Sequence, residues 1–148
     1  MAENRITIRH TIFIAKPRTL VWDYTQNYDN RRTWDSSVIE TTVLQAAPNR
    51  IVRLKMRGNT SMTFIYKLDE RPHKTSLAAK EIISPFIVNA GGSWIYKEKN
   101  GGTLWTQTNT IDFKQNFILK LLMPIFKFAF GRLTKKAMGK AKLEIEKL

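Results

Sequence analysis

Residues 5–14, "RITIRHTIFI", place isoleucine at 6, 8, 12 and 14. A period of two is the spacing of one strand face, so a strand is expected here. Pro17 follows, and Lys16–Asn27, "KPRTLVWDYTQN", reads as a short helix with proline in its first turn. "YDNRRTWDSSV" reads as loop or one further helical turn. Alternation then resumes. "SVIETTVLQ" is a second strand. "RIVRLKMR" sets Val52, Leu54 and Met56 opposite Arg53, Lys55 and Arg57. "SMTFIYKLD" puts Met62, Phe64, Tyr66 and Leu68 on one face, and "TSLAAKEII" follows the breaker "ERPHK".

The clearest local signal is "SWIYKEKNGGTLWTQTNTIDF". Asn100-Gly101 between two alternating runs predicts a type I′ hairpin. With those two residues as the loop, Tyr96 faces Trp105 and Trp94 faces Gln107, all on one side of the sheet. A three-residue loop would set Trp105 opposite Lys97 and break that pattern.

From 117 onward the period changes to that of a helix, bent at Pro124. Phe126, Phe130, Leu133, Ala137, Ala141, Ile145 and Leu148 form one apolar face. Arg132, Lys136, Lys140 and Lys147 lie on another sector. Around the proline a second stripe appears: Ile118, Leu121, Ile125 and Phe128. The first half of this helix therefore needs cover on two sides, the second from the short helices, a partner, a ligand or a membrane. The expected order is strand, two short helices, about six antiparallel strands and one long helix. This is an α+β domain with its helices on one sheet face. A helix laid across a strongly curved sheet does not fill the concavity, so an aromatic-lined cavity is expected between them.

Composition narrows the chemistry. The chain has 148 residues, a natural size for one domain. It has no cysteine, so disulfides and thiolate chemistry are excluded. "MAENRITIRH" carries no apolar run or cleavage site, so no signal peptide is expected, and a cytoplasmic location is. The net charge is +13, and residues 114–148 carry nine basic and two acidic side chains, +7 of that total. Such a chain is attracted to anionic partners. His10 and His73 are the only histidines, with no second ligand at a metal spacing, so no metal or cofactor is expected. No G-x-S-x-G and no G-K-[ST] ending is present, which removes the common serine-nucleophile and phosphate-loop signatures.

"ITIRHTIFIAKPRTLVWDYTQNYDNRRTWDSSV" resembles the opening of the START/Bet v 1-like (SRPBCC) superfamily, nearest its polyketide cyclase/dehydrase-like branch. Pro17, Val21-Trp22 and Trp34-Asp35 carry the likeness. "NGGTLWTQTNTIDF" and the proline-broken apolar helix are similar to the family's second half. The resemblance implies one domain over 1–148 with a helix-grip fold: six to seven antiparallel strands curved around the C-terminal helix. The turn "RGNTS", Arg57–Ser61, lacks the glycine-rich loop of plant members, so nucleotide binding is not carried over.

The expected ligand site is lined by Trp34, Phe64, Tyr66, Trp94, Tyr96, Trp105, Gln107, Phe126 and Phe130, with Gln107, Tyr96 and Tyr66 as its polar groups. The first functional expectation is binding of an apolar small molecule or lipid. The second is a cyclase/dehydrase-like enzyme in the same pocket; Asp23, Asp35, Glu81 and Tyr66 are its acid–base candidates. For Asp23 a solvent-facing role, and for Asp35 a capping role, is the stronger expectation. The third is peripheral contact with an anionic membrane through Lys135, Lys136, Lys140 and Lys142 beside Phe126–Phe130. Phe117–Gly131 spans 15 residues with two lysines inside, short of the roughly 20 a membrane span needs. Nucleic acid is disfavoured, because the aromatic residues are expected to fold inward. No catalytic residue and no oligomeric state is assigned from the sequence.

Overall fold

The structure is a computed structural model and describes residues 4–148. Its elements are β1 (Arg5–Ile14), α1 (Arg18–Gln26), a 3-10 turn (Tyr28–Asn30), α2 (Arg31–Trp34), β2 (Val38–Gln45), β3 (Ile51–Met56), β4 (Thr60–Glu70), β5 (Lys74–Ile83), β6 (Ile87–Lys99), β7 (Gly102–Phe113) and α3 (Phe117–Glu146). The strands form one seven-stranded antiparallel sheet in the order β1-β7-β6-β5-β4-β3-β2. The first strand closes against the last, and successive hairpins supply the other pairings. With two short helices after β1 and one long helix at the end, this is the helix-grip arrangement.

The β6–β7 hairpin takes the expected register. Lys99 pairs with Gly102, Tyr96 with Trp105 and Trp94 with Gln107. Asn100 has φ 49° and Gly101 φ 76°, left-handed at both central positions as type I′ requires. Two boundaries differ from the sequence reading. Helix α1 begins at Arg18 with Pro17 in the cap position rather than inside the first turn. Strand β6 begins at Ile87, because its first half pairs with β7 up to Phe113. Trp34 ends a single helical turn.

Helix α3 is capped by Asn116, whose Oδ1 accepts from the backbone N–H groups of Ile118 and Leu119 at 2.8 and 3.3 Å. Pro124 lies inside the helix, on an exposed sector where the carbonyl it leaves free can meet water. The helix packs along β1. Its N-terminal half sets Leu119, Met123, Phe126 and Phe130 against Ile6, Ile8 and Phe113. Its C-terminal half buries Met138, Ala141 and Ile145. The expected face is corrected at three positions: Leu133 and Leu148 are exposed and Met138 is buried. The buried face advances by 130, 134, 138, 141 and 145, which carries Leu133 off the contact line. Among the described residues, nothing covers the second stripe. Ile118, Leu121, Ile125 and Phe128 all face outward.

Candidate functional site

Residues opposite each other in adjacent strands share a face. The registers therefore assign the concave side directly. It carries Ile6, Ile8, His10, Ile12 and Ile14 of β1, which stand against Ile111, Asn109, Gln107, Trp105 and Thr103 of β7. Trp94 and Tyr96 of β6, then Leu77 of β5 and Tyr66 of β4, continue it. The nine candidate side chains all lie along this face or on the elements above it. They divide into three packing groups plus Gln107.

Trp34, Trp94, Tyr96 and Trp105 form the first group, with Met138, Ala141 and Ile145 of α3. The indoles touch one another: centroids are 5.9 Å apart for Trp34–Trp94, 5.6 Å for Trp34–Trp105 and 5.4 Å for Trp94–Trp105. This end is a packed aromatic wall. Phe64 and Tyr66 belong to a second group with Tyr28, Val52, Leu54 and Met62. Phe126 and Phe130 belong to a third, where Phe126 stacks on Phe113 at 5.1 Å. Between the second and third groups the concave face is only half-buried. Ala79, Ile82, Ile87, Ala90 and Ile111 line this strip, and Ile87 packs on both groups. Small side chains in mid-sheet and a helix packed along β1 leave this strip only partly covered. Two surface clefts lie elsewhere: about 550 Å³ beside Ile39, Arg53 and Lys55, and about 440 Å³ beside Arg18, Glu98 and Asn100. None of the nine candidates borders either.

At the floor lies a polar network. Tyr66 donates its O–H to Gln26 Oε1 at 3.0 Å, and Arg50 Nη2 donates to the same oxygen at 2.7 Å. Gln26 Nε2 donates to the Tyr96 hydroxyl at 2.8 Å. Arg50 can only donate, so it fixes which end of the amide is oxygen. Thr25 Oγ1 lies 2.7 Å from the Tyr96 oxygen and donates to Val21 C=O, so Tyr96 gives its proton to Thr25. Tyr28 and Tyr66 hydroxyls meet at 2.5 Å. The guanidinium of Arg50 stands 3.9 Å from the Tyr66 ring centroid. Burial, then the neighbouring Tyr28, raises the Tyr66 pKa well above its ordinary value, and burial does the same to Tyr96. Both phenols stay protonated near neutrality, and both hydroxyls are committed to protein partners.

A buried ion pair lies above this floor. Arg31 Nε donates to Asp35 Oδ2 at 2.9 Å. The Arg31 guanidinium lies 4.8 Å from the Trp34 ring and 5.1 Å from that of Trp94. Asp35 Oδ1 also accepts from Ser37 N–H at 3.1 Å and Oγ–H at 2.6 Å. Burial alone would push the Asp35 pKa up; Arg31 and the Ser37 hydrogen bonds outweigh it, and the pKa falls. Of the other acid–base candidates, Asp23 is exposed and paired with Arg71 at 2.7 Å, and Glu81 is exposed and lies opposite Thr63, on the outer face.

A short polar chain crosses the inner sheet. Trp94 Nε1–H donates to Asn109 Oδ1 at 3.4 Å, and Asn109 Nδ2 donates to Gln107 Oε1 at 3.0 Å. Its neighbour His10, directly opposite Gln107, is half-buried. Burial and then the Lys135 charge lower its pKa, so the imidazole is neutral at pH 7. Among the described residues, no three metal-ligating side chains gather.

Gln26, Tyr28, Arg31, Arg50 and Asn109 were missed by sequence reasoning. One signal for Gln26 was available: Val21, Trp22, Thr25 and Gln26 recur at helical spacing and all are buried. Arg50 carries no such mark, since it sits in the loop just before β3.

The family model described as polyketide cyclase/dehydrase and lipid transport matches residues 5–146. No curated protein matches the chain. Among solved structures, a Thermus thermophilus protein superimposes with a TM-score of 0.81 at 13% identity, over 95% of this chain and 97% of the other. The Zhui aromatase/cyclase of a Streptomyces species gives 0.81 at 15% identity, over 96% and 94%. A START superfamily protein of Mycobacterium smegmatis gives 0.78 at 9% identity, over 95% and 97%. At these identities the structures establish a shared fold, and the family model, spanning nearly every residue, places the chain in the polyketide cyclase/dehydrase and lipid transport family.

Proposed function

We propose that the protein binds an apolar small molecule or lipid on the concave face of the sheet, beneath α3. One observation carries this reading: the half-buried apolar strip of Ala79, Ile82, Ile87, Ala90 and Ile111 between two packed clusters. Apolar surface left partly wet inside a concavity gains about 25 cal/mol per Å² when a ligand covers it. Phe64 and Phe126 flank the strip; Trp94, Trp105, Trp34 and Tyr96 wall its closed end; Gln107 and Asn109 offer amide groups beside it. The test is uptake of dodecanoate and of a polycyclic aromatic, read by tryptophan fluorescence and native mass spectrometry. An Ala90→Phe variant fills the strip and is expected to lose uptake while keeping its circular dichroism. Wild-type protein that takes up neither probe overturns the proposal.

A cyclase/dehydrase-like reaction in the same groove is the second reading. His10 favours it, as a neutral imidazole on the concave face opposite Gln107. Its signature is a His10→Gln variant that retains uptake and loses turnover.

A further inference from the structure

We propose that the N-terminal half of α3 is an interfacial helix that docks on an anionic lipid bilayer. The proposal stands apart from ligand binding, because it concerns the helix face turned away from the groove. Phe117, Ile118, Leu121, Ile125 and Phe128 are between 61% and 74% exposed. At 100° per residue, 118, 121, 125 and 128 fall in one narrow sector. Leu119, Met123, Phe126 and Phe130 occupy the opposite one, against the sheet. The face is extended at its lower end. Lys114 N–H donates to Phe86 C=O at 2.8 Å, which holds the β5–β6 turn beside the start of α3, and Phe86 and Val88 are themselves about half exposed. Contiguous exposed apolar surface of this kind marks a binding face.

Charge selects the occupant. Between residues 113 and 143 the chain has eight Lys or Arg and no Asp or Glu. Lys120 and Lys127 lie together along one side of the apolar sector, and Arg132 and Lys136 continue its direction along the helix. A second copy seated on this face helix to helix would bring these cations together with no acid of the same segment to pair them. Anionic headgroups complement them, while the aliphatic and aromatic side chains reach the acyl boundary. No helix among the described residues is long and apolar enough to cross a membrane, so the helix would lie in the interface.

The test uses vesicles of phosphatidylcholine alone and mixed equally with phosphatidylglycerol. The chain has no cysteine, so Phe128→Cys gives a single site for an environment-sensitive dye, and Lys80→Cys on β5 is the control. Expected are sedimentation with the mixed vesicles, weakening in high salt, and a blue shift at 128 but not at 80. Ile125→Ser with Phe128→Ser should bind roughly tenfold more weakly or worse, and Lys120→Gln with Lys127→Gln about tenfold or more. Both pairs are exposed, so folding should be unaffected. Three results overturn the proposal: no sedimentation with mixed vesicles; sedimentation with no shift at 128, meaning diffuse charge alone; or a dimer in solution that the Ile125/Phe128 variant dissolves, meaning a second copy covers the face.

Discussion

Gln26 is the joint of the floor network, and Gln26→Met tests that directly. Methionine nearly conserves volume, so the change removes hydrogen bonds with little cavity. Three bonds are lost: from Arg50 Nη2 at 2.7 Å, from the Tyr66 hydroxyl at 3.0 Å and to the Tyr96 hydroxyl at 2.8 Å. Two have fallbacks. Arg50 keeps Asp69 and the Gln26 backbone carbonyl, and Tyr96 keeps Thr25. Tyr66 could turn toward Tyr28, but only one of the two hydroxyls can then donate to the other. A charge-assisted bond and two neutral ones, partly replaced, come to about 3 kcal/mol. For a chain of this size that lowers Tm by roughly 6–12 °C. The assay is urea unfolding followed by tryptophan fluorescence, with a double-mutant cycle against Tyr66→Phe. A coupling of about 1 kcal/mol is expected between the two positions. Gln26→Glu keeps the acceptors for Tyr66 and Arg50 and should be milder. A loss below about 1 kcal/mol for Gln26→Met, or no coupling to Tyr66, refutes the assignment of Gln26 as the joint.

Asp35→Asn removes one partner of the buried Arg31 pair and should cost about 3–5 kcal/mol at neutral pH. Because the folded Asp35 pKa is lowered, its stabilisation is complete above the unfolded value and is lost as pH falls through the folded one; the gap between wild type and variant should therefore narrow in acid, and a gap independent of pH would contradict the pairing. In Gly92→Ala the new Cβ would stand 2.5 Å from Asn109 Oδ1 and 2.8 Å from the Thr108 backbone oxygen, which cannot swing away. A loss of about 1–3 kcal/mol is expected, with a changed Trp94 emission as the Asn109 bond breaks. Gly101→Ala meets nothing within 4 Å, yet φ is +76°, so it should cost about 1 kcal/mol through the backbone alone, with Gly101→Asn nearly neutral by urea midpoint.

The fold was legible wherever a period repeated. Alternation at Ile6 to Ile14, the Asn100-Gly101 turn and the long helical run each named an element and its inward face. The hairpin arithmetic alone brought Trp94, Tyr96, Trp105 and Gln107 to one side. Where one helix face had to be chosen among several apolar ones, the sequence misled: Leu133 looked core-facing and Met138 was overlooked. Such a choice depends on where β1 lies beneath α3, which no local pattern encodes. The polar floor was harder still. Tyr66 and Tyr96 were expected to present hydroxyls to a ligand, but Gln26, distant in sequence from both, satisfies them. Long-range hydrogen bonds of this kind leave no periodic trace.

The two halves of α3 divide the labour of the fold. The C-terminal half closes on the indoles with Met138, Ala141 and Ile145, and this end is solid. The N-terminal half packs its hydrophobic side chains Leu119, Met123, Phe126 and Phe130 against Ile6, Ile8 and Phe113 at one edge. The half-buried strip between that edge and the Phe64 cluster therefore ends at the packed indoles. At the other end stand Ile87 and the exposed Phe86 turn. That turn is fastened to the start of α3 by the Lys114–Phe86 hydrogen bond. An apolar ligand entering the proposed groove there would pass the start of α3, whose outward side carries Ile118, Ile125 and Phe128. If the bilayer holds that surface, the proposed groove opens onto the phase where an apolar ligand is concentrated, and transfer through water is avoided. Ala90→Phe should then abolish ligand uptake while leaving vesicle binding intact. The Ile125→Ser/Phe128→Ser pair should slow uptake from vesicles while leaving uptake of the soluble probe dodecanoate unchanged. A parallel loss of both activities in both variants would mean that groove and helix face are one site.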